Sequence, residues 1–126
     1  MINLIASLKE KYTVDNQSRN HQWYSDEPID EGGADVGPRP TELLLSAIAS
    51  CKLITIKMYA DRKGWILNDV KIDLTLDKVE RMNIITQKLN VDADLNELQI
   101  KRIHSISSRC PVALMMGDNV EFKYIE

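Results

Sequence analysis

From Thr41 to Lys63 the chain contains neither glycine nor proline, and most of its residues favour a helix. Pro40 stands just ahead, where a fixed φ suits the first helical turn. Apolar residues fall on nearly every side of the stretch, namely Leu43, Leu44, Leu45, Ala47, Ile48, Ala49, Leu53, Ile54, Ile56 and Met58. A helix that is apolar all round has to be covered from all directions. Asp61, Arg62 and Lys63 then precede Gly64, a stop signal with basic residues in the last turn. The stretch therefore predicts a central, enclosed helix of about six turns. The 126 residues suit a single domain over positions 1–126. One small sheet does not enclose such a helix, so a dimer is expected.

Composition removes several classes of function. Sixteen basic residues face 19 acidic ones, for a net charge of −3, which is not the basic surface of a nucleic-acid protein. Hydrophobic residues at 44% supply a core and argue against disorder. No apolar run is read as reaching the roughly 20 residues of a membrane span, and the N-terminus lacks the pattern of a secretory signal. The expectation is a cytoplasmic protein that engages neither membrane nor nucleic acid. His21, His104, Cys51 and Cys110 are scattered without a CxxC or HxxxH pair, so neither a metal nor another cofactor is expected. Gly32-Gly33 lacks the spacing and lysine of a phosphate loop.

Around the central helix the pattern changes period. Ile2 to Ser25 reads as strand material, with Tyr12, Val14, Trp23 and Tyr24 among short polar residues. Asp15 to Ser18 reads as a hairpin turn. Asp26 to Pro40 holds three of the five glycines and three of the four prolines, and reads as a loop. Val70 to Asp77 alternates as a half-buried strand, followed by a second strand over Ile84 to Asp94. Asp94 and Glu97 resemble a capping box opening a helix that buries Leu95, Leu98, Ile103 and Ile106 and ends near Ser108. Cys110-Pro111 starts a short helix to Gly117, and Val120 to Ile125 alternates as a last strand. The order indicates an α+β fold.

Two thiols remain to be explained. A free cysteine is ordinarily a small buried hydrophobe, and that reading stands beside a chemical one. Cys110 precedes Pro111, which places it at the N-cap or first turn of the short helix. The helix dipole and Arg109 there would favour a thiolate. Cys51 lies mid-helix with Leu44, Ile48, Thr55 and Met58 on the same face, a setting suited to an apolar substrate.

Asp26-Glu27-Pro28, the run Gly32-Gly33-Ala34-Asp35-Val36-Gly37-Pro38-Arg39-Pro40-Thr41-Glu42-Leu43-Leu44-Leu45, and Ala49-Ser50-Cys51 together resemble the signature of the OsmC/Ohr family. Its names stand for osmotically inducible protein C and organic hydroperoxide resistance protein. Tyr59-Ala60-Asp61-Arg62-Lys63-Gly64 extends the match, and Arg109-Cys110-Pro111-Val112 resembles the family's second cysteine. Asn20-His21-Gln22 ahead of Asp26-Glu27-Pro28 resembles an OsmC-like branch.

The resemblance implies antiparallel sheets wrapped around long central helices in an intertwined homodimer, with two sites at the interface. It also implies a thiol-dependent peroxidase acting on organic hydroperoxides in oxidative-stress defence. Cys51 would become a sulfenic acid, Cys110 would resolve it as a disulfide, and a thiol reductant would reopen the bond. Local reasoning favours Cys110 as nucleophile, whereas the resemblance gives that role to Cys51. The family's activating arginine falls near Arg19. Its glutamate falls at Thr41, with Glu42 one place along and about 13.5 Å from Cys51 on the opposite helix face. A substrate pocket would be lined by Leu44, Ile48, Thr55 and Met58, with His21 and Arg39 as further candidates. The alternative is a protein of the same fold that binds a small apolar ligand, with little or no peroxidase activity.

Overall fold

The structure is a computed structural model and describes residues 1–117 and 120–125. It comprises two compact units, Met1–Leu44 and Leu45–Glu126.

In the first unit, β1 (Ile5–Leu8), β2 (Val14–Ser18) and β3 (His21–Ser25) form an antiparallel sheet in that order. The expected turn at Asp15 to Ser18 is instead the central strand. Its polar residues belong there because they pair across the ladder. Gln22 Nε2 donates to Asp15 Oδ1 at 2.9 Å, and Asn16 Nδ2 donates to Ser25 Oγ at 3.0 Å. The actual turns flank this strand. One runs from Lys9 to Thr13, with Lys11 at φ 49°, and the other is Arg19–Asn20, with Arg19 at φ 54°.

The Asp26 to Pro40 segment is a loop, as expected, with a short 3-10 turn over Ile29–Glu31. Asp26 organises it. The buried carboxylate accepts from Thr13 Oγ1 at 2.7 Å and from the backbone N–H groups of Glu27, Ala34 and Val36. Burial alone would raise this carboxyl, but those hydrogen bonds outweigh it and hold it below its ordinary value. Gly33 packs so tightly on this hub that a Cβ would overlap the carbonyl of Glu27.

Helix α1 spans Pro40–Lys63, 24 residues. Gly64 (φ 72°) ends it as expected, with Gly64 N–H bonded to Asp61 O and Trp65 N–H to Ala60 O. That pairing is a Schellman stop. One expectation about this helix changes: by length and composition α1 is apolar enough to cross a membrane, because between Leu43 and Ala60 only Lys52 and Lys57 are charged. One chain does not enclose the helix, as expected: Ile48, Ile56 and Ala60 are buried, but Ile54 is 55% exposed and Met58 61%.

In the second unit, β4 (Asp69–Val79) and β5 (Met82–Asp92) form an antiparallel hairpin closed by Glu80–Arg81. The cap of helix α2 (Glu97–Ser107) falls two residues later than the expected Asp94. Asn96 is the N-cap and forms the capping box with Gln99, each side chain accepting from the other's backbone N–H at 2.9 Å. Ile103 and Ile106 are buried on it, Leu95 is half-buried, and Leu98 is exposed because it lies on the face turned away from the core. Helix α3 (Pro111–Met115) follows. The expected strand at Val120 to Ile125 is absent. Among the described residues no ladder partner meets it, and its apolar side chains are exposed. The fold is α+β with antiparallel sheets, as expected.

Candidate functional site

Cys110 is the N-cap of α3, with φ −69° and ψ 135°. Pro111 favours this extended conformation in the residue before it and is itself suited to the first helical position. The Cys110 sulfur accepts a hydrogen bond from Ala113 N–H at 3.4 Å, and the residue is fully buried. Cys51 is half-buried near the middle of α1, and its carbonyl accepts from Thr55 Oγ1 at 2.7 Å.

A cavity of about 250 Å³ lies within the second unit. Ile48 and Lys52 of α1 form one wall, Leu74, Ile85 and Gln87 of the hairpin a second, and Ala113 and Met116 at α3 the third. The residues three before and one after Cys51 thus share a cavity with the residue whose N–H holds Cys110. Lys52 Nζ donates to Ser107 O at 2.9 Å. The Ser107 hydroxyl accepts from Gln87 Nε2 at 3.3 Å and donates to His104 O at 2.7 Å. The result is an apolar chamber with one ammonium group in its wall, able to admit a small apolar molecule.

Of the expected pocket residues, Ile48 lines this cavity. Thr55 is turned back onto its own helix, and Leu44 and Met58 are exposed on α1. Arg19 is an exposed turn residue and His21 the exposed first residue of β3. Glu42 lies in the first turn of α1. It accepts from Arg39 N–H at 2.9 Å, and its carboxylate is 3.7 Å from the Arg39 guanidinium, which also stands 3.7 Å from Glu31. A side-chain hydrogen bond with Glu31, then burial and the Glu31 charge, hold Glu27 above its ordinary value, partly offset by Arg39. Among the described residues no three His, Cys, Asp or Glu side chains gather as a metal site.

Sequence reading missed Lys52 and Ser107. The available signal was a lysine directly after Cys51 in an otherwise apolar run, which the helix-wide hydrophobicity obscured. The Arg39–Glu42 contact was likewise legible as an i,i+3 pair at a helix start.

The OsmC-like protein family model matches residues 32–125, and the chain belongs to this family. Solved structures share the fold. An OsmC-like protein from Mycoplasma pneumoniae superposes with TM-score 0.79 at 23% identity, over 94% of this chain and 89% of the other. A Psychrobacter arcticus 273-4 protein, linked by its name to osmotic stress and detoxification, gives 0.79 at 18% identity, over 94% and 90%. An organic hydroperoxide resistance protein OsmC from Legionella pneumophila gives 0.66 at 18% identity, over 96% and 92%. No curated protein sequence matches the chain.

Proposed function

We propose that this protein is a thiol-dependent peroxidase that reduces organic hydroperoxides in oxidative-stress defence, with Cys51 as nucleophile and Cys110 as resolving thiol. The observation that carries the reading is the shared cavity, whose walls include Ile48 and Lys52, three before and one after Cys51, and Ala113 of the helix capped by Cys110. The Cys51 thiolate attacks the terminal peroxide oxygen. An S–O bond forms, the O–O bond breaks, and the departing alkoxide takes a proton to leave as alcohol. The Cys110 sulfur then attacks the Cys51 sulfur. The S–S bond forms as the S–O bond breaks, and hydroxide leaves as water with the Cys110 proton. An external dithiol returns two electrons and two protons to restore both thiols.

The same reading makes the working unit a homodimer. Its support is the set of large apolar side chains left exposed on α1 and on Val120 to Ile125, surface of the kind that a partner covers. Within that dimer Arg19 or Arg39 is the candidate cation for the Cys51 thiolate, Glu42 orients the arginine, and His21 borders the substrate. A cytoplasmic setting keeps both thiols reduced between turnovers. Purified protein should consume cumene or tert-butyl hydroperoxide in the presence of a dithiol, and Cys51→Ser should abolish that consumption. Absence of turnover with every organic hydroperoxide and reductant tried overturns the reading. The apolar cavity walls favour one second reading, a small-ligand binding protein, which gains if Cys51→Ser binds an apolar probe unchanged and no peroxide is consumed.

A further inference from the structure

An α-helix leaves its last four carbonyls without intrahelical partners, and α2 accounts for all four of its own. His104 O accepts from the Ser107 hydroxyl, Ser105 O from Ser108 N–H and Oγ, and Ile106 O from Arg109 N–H. The fourth, Ser107 O, is capped from another element by Lys52 Nζ at 2.9 Å. A cation belongs at this negative end of the helix dipole, and the lysine stem reaches it along the apolar wall of the cavity.

The position of this cap matters because Lys52 is the residue after Cys51 and Ser107 stands three residues before Cys110. The turn between Ser107 and Cys110 is closed by the Ser108 and Arg109 hydrogen bonds, and Ser107 and Cys110 are both buried. The segment therefore moves as a unit with the carbonyl that Lys52 grips. A disulfide tolerates little error, since its two Cα atoms must come within about 7 Å. We propose that Lys52 is a positioning residue for the thiol pair: it pins the Cys110-bearing end of α2 to α1 beside Cys51 and so sets how readily the disulfide closes. The inference rests on reading Cys51 and Cys110 as a redox pair, but not on peroxide as the oxidant.

The test is disulfide closure at equilibrium in buffers of reduced and oxidised glutathione, read by alkylation and mass. A side chain that serves folding alone would shift the melting temperature of the reduced protein and leave this equilibrium unmoved. Losing a hydrogen bond from a charged donor should lower the effective concentration of the pair about tenfold in Lys52→Met. Lys52→Arg, which keeps a donor, should stay within about twofold of wild type. Lys52→Gln, too short for the same reach, serves as a second loss variant should Lys52→Met fail to fold, and should fall as Lys52→Met does. Closure at wild-type strength in the loss variants overturns the proposal. A wild type that forms no Cys51–Cys110 disulfide at any ratio overturns it together with the pairing. A wild type that pairs but consumes no hydroperoxide removes the peroxidase reading and leaves the role of Lys52 intact.

Discussion

Substituting Gly33 by alanine should be far more damaging than the same change at Gly64 or Gly117. A Cβ at Gly33 would overlap the carbonyl of Glu27 and stand 2.8 Å from Asp26 Oδ1. The loop cannot move aside without straining the bonds from Gly33 N–H to Pro28 O and from Asp35 N–H to Glu27 O, at 3.0 and 3.1 Å. Two backbone hydrogen bonds at about 1 kcal/mol each, with the displaced loop, give a loss of about 2–4 kcal/mol. For a chain of this size that is about 8–16 °C in melting temperature. Gly64→Ala meets no atom within 4 Å, but its φ of 72° is unfavourable for alanine. That should cost about 1 kcal/mol. Gly117→Ala brings a Cβ 3.6 Å from Leu114 O, an ordinary contact, and should be neutral or stabilising by up to about 1 kcal/mol. Thermal melts of the three variants at one protein concentration check the order. A Gly33→Ala melt within a degree of wild type, or a larger drop for Gly117→Ala, refutes the close-packing argument.

Three further outcomes follow from the core and the loop. Ile103 is fully buried, so Ile103→Ala should lose about 2–5 kcal/mol in denaturant titration, while Leu98→Ala on the exposed face should change little. Asp26 is held below its ordinary 3.8, so its contribution is present above that pH and is lost as pH falls through the lower folded value. Asp26→Asn should therefore flatten the acid limb of the stability curve. Arg102 Nε donates to Tyr59 Oη at 3.1 Å, and that bond, against burial and with the charges of Arg102, Lys63 and Arg62, lowers the phenol below 10.0. In a spectrophotometric titration Arg102→Leu should move this phenol upward.

How far the sequence carried the reading depended on where local rules were sufficient. The central helix was legible because Pro40, the unbroken helix formers and Gly64 all mark the same boundaries. Cys110-Pro111 announced an N-cap in the same way. The β2 strand was not legible, because Asp15, Asn16, Gln17 and Ser18 carry turn chemistry. Their strand state comes from partners seven to nine residues away, Gln22 and Ser25. The α2 boundary moved because two overlapping candidates existed, and Asn96 with Gln99 satisfied both backbone donors. Val120 to Ile125 has the right alternation and no partner strand among the described residues, and alternation alone does not make a ladder. At the site, the two thiols were legible from their motifs. The Lys52 to Ser107 contact was not, since it joins residues 55 apart.

The most direct test of the central claim is a single turnover without reductant. Fully reduced protein is mixed with one equivalent of cumene hydroperoxide, and both the residual peroxide and the intact mass are followed. The equivalent should be consumed, the chain should lose two hydrogens, and a peptide map should join Cys51 to Cys110. Cys110→Ser should consume the same equivalent and yield a trappable sulfenic acid at Cys51. Peroxide left unspent with both thiols free would contradict the claim.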